Sequence, residues 1–185
     1  MTVEEFSKLD KTFNPATFIS KCNHVFIKYF TAIMMDNLRE VDHFISNDVY
    51  KYGELIIAPL RKKHQRQMYD ELNVKTTRLH NIELKNNKYI ITVYIESRYM
   101  DYVIDMNTGN KVYGNDQSRI TVTYKLTFTK DINAVNEGDA KKCHACGSPM
   151  NINDSGICEY CGSIYQQEKH GWVLDNIIRC SEMYL

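Results

Sequence analysis

Ile120-Thr121-Val122-Thr123-Tyr124-Lys125-Leu126-Thr127-Phe128-Thr129 is the stretch that decides the fold class. Ile120, Val122, Tyr124, Leu126 and Phe128 alternate with Thr121, Thr123, Lys125, Thr127 and Thr129. This period of two marks a strand with one face against a core and the other toward water. Such a strand needs antiparallel neighbours, and the chain supplies them on both sides. Upstream, Arg78 to Leu84 and Tyr89 to Asp105 read as two strands around the polar turn Lys85-Asn86-Asn87-Lys88. The second is long, and a bend is expected where Glu96, Ser97 and Arg98 break the alternation of Ile91, Val93 and Ile95. Asn107-Thr108-Gly109-Asn110 and Gly114-Asn115 form the next turn region. Downstream, Trp172 to Ile178 reads as the last strand.

The first third of the chain has a different period. Asn14-Pro15 is a helix start, with Asn14 as cap and Pro15 at the first helical position. Phe18, Cys22, Val25, Tyr29 and Ile33 then recur at three- and four-residue steps, and Phe26 and Phe30 widen the stripe. This helix is expected to run to about Asp36. A shorter helical piece, Leu38 to Phe44, precedes Ser46-Asn47-Asp48, which reads as the cap of a third helix. Pro59 then kinks that helix or restarts it. Helical content is expected to persist to about Glu71, with Leu60 and Met68 turned inward and Arg61-Lys62-Lys63-His64-Gln65-Arg66 turned outward. Helices followed by an antiparallel sheet define an α+β fold, with the helices packed on one face of a curved sheet.

At 185 residues the chain accommodates one sizeable core and a small appendage, and 43% hydrophobic with 25% charged residues is ordinary for a globular protein. No segment approaches the roughly 18 apolar residues of a membrane span. Met1-Thr2-Val3-Glu4-Glu5 has acids where a signal peptide carries bases, so a reducing, cytoplasmic location is expected. Lys+Arg and Asp+Glu balance at 23 each, so no global field favours nucleic acid, and no nucleic-acid partner is expected. The basic run at Arg61 to Arg66 is read as a solvated helix face, the alternatives being lipid or nucleic-acid contact. The 13 tyrosines against a single tryptophan point to an amphipathic aromatic lining.

Cys143-His144-Ala145-Cys146 and Cys158-Glu159-Tyr160-Cys161 are two CxxC pairs, each followed by a glycine, Gly147 and Gly162. Four thiolates complete a tetrahedron around one Zn2+ and leave no open position, so Cys143, Cys146, Cys158 and Cys161 are expected to form a structural zinc ribbon. Asn153-Asp154-Ser155-Gly156 supplies its hairpin turn. A redox CxxC would open a helix within a βαβ pattern, and a disulfide framework belongs to small secreted chains; neither context is present. His144 sits between two better-placed thiolates and is read as exposed. Cys22 and Cys180 fall in apolar stripes and are read as small core residues. A ribbon between strands three and four requires its ends to lie close together. Zinc would then order the hairpin, with about 10 kcal/mol of apparent binding energy typical of small zinc modules.

Asp101-Tyr102-Val103-Ile104-Asp105-Met106-Asn107-Thr108-Gly109, Tyr124-Lys125-Leu126-Thr127-Phe128, the two knuckles and Trp172-Val173-Leu174 resemble, in order, the bacterial zinc-ribbon branch of the Tim44-like domain proteins. The resemblance covers about Phe13 to Ile178. It implies a cone-shaped fold like that of nuclear transport factor two, over residues 13–136 and 170–180, with a ribbon inserted at 139–167. Mitochondrial members tether a chaperone to the inner-membrane translocon and touch lipid. The resemblance therefore implies a non-enzymatic binding or scaffold protein, with a protein, peptide, lipid or small molecule in its pocket and with peripheral membrane contact. Two departures stand out: CHACGSP where the family often has proline and asparagine in the first knuckle, and the lack of the transmembrane or glycine-rich leader of many members, which argues against tethering. The alternative is a small isomerase- or dehydratase-like enzyme using Asp101, Tyr102 and Asp105. The plainer role of those carboxylates is to cap Thr108-Gly109. Nucleic-acid binding through the ribbon is disfavoured by Asp154, Glu159 and Glu168 against Lys141, Lys142 and Lys169.

Overall fold

A computed structural model describes residues 1–133, 148, 160 and 171–184, with the backbone alone for 181–184. Three helices come first: α1 (Val3–Leu9), α2 (Pro15–Met34) and α3 (Asn47–Arg61). Two 3-10 turns, Leu38–Glu40 and Asp42–Phe44, link α2 to α3 where a short helical piece was expected. Four strands follow among the described residues: β1 (Gln65–Lys85), β2 (Lys88–Asp105), β3 (Lys111–Asp131) and β4 (Val173–Tyr184). They form one antiparallel sheet in the order β1-β2-β3-β4, a meander. This is the α+β order read from the sequence, and it is consistent with the cone-shaped fold expected of it.

The helix starts follow their caps. Asn14 Oδ1 accepts from Thr17 N at 3.0 Å with Pro15 behind it, and Ser46 Oγ accepts from Val49 N at 3.4 Å. The inward stripe of α2, from Phe18 through Cys22, Phe26 and Phe30 to Ile33, is buried against the sheet. On the sheet, the matching face is Ile91, Val93, Ile95 and Tyr99 of β2 with Ile120, Val122, Tyr124, Leu126 and Phe128 of β3, all buried. Thr121, Thr123, Lys125, Thr127 and Thr129 lie on the opposite face and are half-buried.

Helix α1 was not expected. Its signal is a capping box, in which Thr2 Oγ1 accepts from Glu5 N at 3.1 Å while Glu5 Oε2 accepts from Thr2 N at 2.8 Å. Phe6 anchors it by burying its ring among Phe13, Tyr89 and Trp172.

Three expectations need correction. Helical content does not persist to Glu71: Pro59 withholds a hydrogen bond in the last turns of α3, the helix stops at Arg61, and His64 reverses the chain with φ at 52°. From Gln65 the backbone pairs with β2 instead, Gln65 opposite Asp105 and Tyr69 opposite Asp101. Met68 is accordingly half-buried on a strand rather than inward on a helix.

Gly114-Asn115 is not a turn but part of β3. Gly114 has φ at 90°, and a Cβ there would lie 2.5 Å from both Asp101 O and Tyr102 Cα, so the close pairing with β2 demands glycine. Cys180 is exposed rather than in the core. Tyr124 pairs with Arg179 and Thr123 with Ser181, so Cys180 is the extra residue of a β-bulge. Cys22 is buried as expected, and burial pushes its thiol pKa far up, which keeps it inert.

Other turns match their residues. Asn86 and Asn87 both have positive φ, 51° and 62°, the requirement of a two-residue type I′ hairpin. β3 and β4 are paired down to Thr129 opposite Val173, so the chain leaves and rejoins the sheet at neighbouring positions. The segment expected to form the ribbon, with Cys143, Cys146, Cys158 and Cys161, lies outside the described residues.

Candidate binding cleft

Where α2 and α3 end and β1 begins, their apolar faces part and leave a cleft of about 180 Å³. Ile33, Ile57 and Leu60 give it a buried apolar floor, while exposed Met106 stands at its rim with Asp36, Arg61, His64 and Arg66. Two loops are tied together at its mouth, because Met106 N donates to the His64 carbonyl at 2.8 Å. The left-handed turns at Asp36 (φ 54°) and His64 (φ 52°) end the helical runs there and expose the polar side chains around the floor.

The rim charges are partly matched. Arg61 Nε donates to Asp36 Oδ2 at 2.9 Å, and its Nη2 also meets Asp36. The hydrogen bonds from Arg61 hold the Asp36 carboxyl below the usual carboxylate range. Arg61 also reaches Glu54 at 3.5 Å. The basic run read as one solvated helix face is therefore divided: Arg61 is engaged on α3, Lys62 to His64 form an exposed connection, and Arg66 sits on β1 beside the cleft.

The tyrosine count pointed to an aromatic lining; what the fold holds, one turn of α2 from the cleft residue Ile33, is a packed aromatic layer in the core. Phe30 of α2 packs on Tyr69, Tyr99 and Tyr124, with ring centroids at 4.8, 6.2 and 5.3 Å. Tyr99 and Tyr124 stand four positions apart along paired strands and lean toward each other over Ser97 until their hydroxyls meet at 2.5 Å. Ser97 is small and fully buried, and its hydroxyl donates to the Val122 carbonyl at 3.2 Å. Burial pushes the pKa of all three tyrosines well up, so they are neutral hydrogen-bonding groups.

The three candidate catalytic residues do not share one centre. Asp101 lies at the edge of the tyrosine layer, where its Oδ1 accepts from Gln67 Nε2 at 2.8 Å and its Oδ2 faces Arg179 at 3.5 Å. Tyr102, one residue on and therefore on the opposite face of β2, donates its hydroxyl to Asp70 at 3.0 Å. Asp105 caps the turn, its Oδ1 accepting from the backbone N–H of Asn107 and of Thr108 at 2.9 Å each. Those bonds hold its carboxyl below the ordinary range. Gln67, Arg179 and the cleft floor were missed in the sequence, and only the basic run hinted at that end of the fold.

A second, larger groove of about 370 Å³ lies against Phe13, Phe18, Lys21 and Trp172. Phe18 meets Trp172 edge-on at 5.0 Å, and Lys130 pairs with Asp10 at 3.0 Å. It borders Gly171, where the described chain resumes. Among the described residues no group of three or more His, Cys, Asp or Glu side chains is placed to hold a metal. Nor is any described helix long and apolar enough to cross a membrane.

A helical layer on one face of an antiparallel meander, with a cleft at its open end, defines an α+β domain built around a packed aromatic core. The Tim44-like domain family matches residues 1–140, and the chain belongs to that family. The match takes in α1, which the sequence resemblance left out. No curated protein matches the chain.

Proposed function

We propose that this Tim44-like chain is a non-enzymatic binding or scaffold protein associated with protein transport, which receives part of a partner in the cleft between α2, α3 and β1. The observation that carries this reading is the cleft itself, an apolar floor ringed by polar and charged side chains and opening to solvent. Its ionisable groups serve structure: Asp36 is bound by Arg61, and nearby Asp105 caps a turn. Family membership supports the transport association and a peripheral site of action at a membrane. The stripe of α3 bearing Tyr52 and Leu55, the latter 73% exposed, runs toward Lys62 and Lys63 and suits such contact.

The same proposal includes one structural Zn2+ on Cys143, Cys146, Cys158 and Cys161. What supports it is the donor chemistry of four thiolates, together with the pairing of β3 and β4 at Thr129 and Val173, which suits a closed hairpin. The ion would order the ribbon and supply no reactive position. An acid–base role remains the competing reading because Asp101 adjoins Tyr99 and Tyr124. The test is to screen purified full-length chain against isomerase and dehydratase substrates beside its Asp101→Asn variant. No Asp101-dependent turnover is expected. Turnover abolished by Asp101→Asn in a folded variant would overturn the proposal.

A further inference from the structure

Resting on the reading of the cleft as the binding site, we infer that its occupant is an acidic peptide segment that inserts one bulky apolar side chain. Size sets the first half of this inference. A cavity of about 150 Å³ holds a benzene ring, whereas pockets for drug-sized molecules start at about 300 Å³. At about 180 Å³ the cleft suits a single leucine or aromatic side chain on Ile33, Ile57, Leu60 and Met106.

Charge sets the second half. The carboxylate lining the cleft, Asp36, is already neutralised by Arg61. Arg66 lines the same rim and influences Asp36 only through space, while Lys62 and Lys63 are exposed on the adjoining connection. Among the described residues Lys62, Lys63 and Arg66 make no ion pair within contact distance. A segment carrying glutamates beside its apolar anchor would satisfy these cations and be steered by them. A peptide places one side chain in a cleft of this size and its neighbouring carboxylates on Lys62, Lys63 and Arg66 together, which favours it over a flat anionic surface.

The test uses the full chain and fluorescein-labelled ten-residue peptides with one central leucine between glutamates, read by fluorescence anisotropy. Binding is expected to weaken at least tenfold when the leucine is replaced by alanine or the glutamates by lysines, and to weaken as salt is raised. Lys63→Glu and Arg66→Glu, each with an unchanged circular dichroism spectrum, are expected to cost about tenfold. Equal affinity for the lysine peptide, no binding, or indifference to both variants overturns the inference, as does loss of vesicle binding rather than peptide binding in Lys63→Glu with anionic vesicles. A photoreactive methionine at Met106 separates the two failures. If it traps a ligand while the acidic peptide does not bind, this inference falls and the cleft reading stands; if it traps nothing, both fall.

Discussion

The hydroxyl pair of Tyr99 and Tyr124 ties the two central strands together under α2, and removing one hydroxyl should cost more than removing both. Tyr99 is 0% exposed and Tyr124 5%, and their hydroxyls meet at 2.5 Å beneath Phe30. In Tyr99→Phe the Tyr124 hydroxyl stays buried and loses this partner; Tyr124→Phe does the same to Tyr99. Stranding a buried hydroxyl costs about 1–3 kcal/mol, whereas deleting both partners leaves two rings in an apolar environment and is close to neutral. Urea unfolding of the four proteins of the cycle measures this. With a slope of about 2 kcal/mol/M, each single variant is expected to lower the midpoint by about 0.5–1.5 M. The double variant should lie nearer the parent than either single variant does. Single variants indistinguishable from the parent, or a double variant less stable than either single, would show that the hydroxyls do not depend on each other.

Other expectations follow from single positions. Gly114→Ala is expected to destabilise by more than 2 kcal/mol, about 1–2 from the positive φ and the rest from the 2.5 Å approach to the β2 backbone, and urea unfolding reads it. His43 is held neutral by burial, which lowers its pKa despite Asp42 at 3.6 Å, and its Nε2 is buried without a partner. The unfolded chain therefore takes up a proton first, so the His43 contribution is intact above about pH 6.5 and is lost as pH falls toward the folded value. His43→Gln is expected to flatten that stretch of a stability–pH curve. Fresh reduced protein is expected to carry one zinc per chain, lost in Cys143→Ser together with Cys161→Ser; metal analysis finding substantially less than one in the parent would remove the ribbon from the account.

What could be read from the sequence was local, and what could not depended on distant pairing. β3 was legible because its alternation continues without a break from Ile120 to Thr129, and α2 because its cap and stripe agree. The hairpin at Asn86-Asn87 announced itself through residues that tolerate positive φ. The first half of β1 did not, since Gln65 to Leu72 has no apolar alternation. Its strand conformation comes from pairing with Asp105 to Met100, some distance along the chain. α1 rests on one buried ring, Phe6, and a short capping box, too little for a periodicity to register. Cys180 misled because a bulge shifts the face on which a residue falls, and bulges leave no mark in a period-two pattern. The cleft was illegible for a related reason. Ile33, Leu60 and Met106 come from α2, α3 and the turn after β2, and only the folded chain brings them together.

On the proposed reading the cleft, rather than the outer face of the sheet, is where the protein meets its partner. Photo-crosslinking in cells tests it directly, with the reactive side chain placed in turn at Met106 on the cleft and at Thr127 on the outer face. The expected result is a discrete adduct from Met106 that Thr127 does not give. Adducts of equal yield from both positions, or none from Met106, would contradict it.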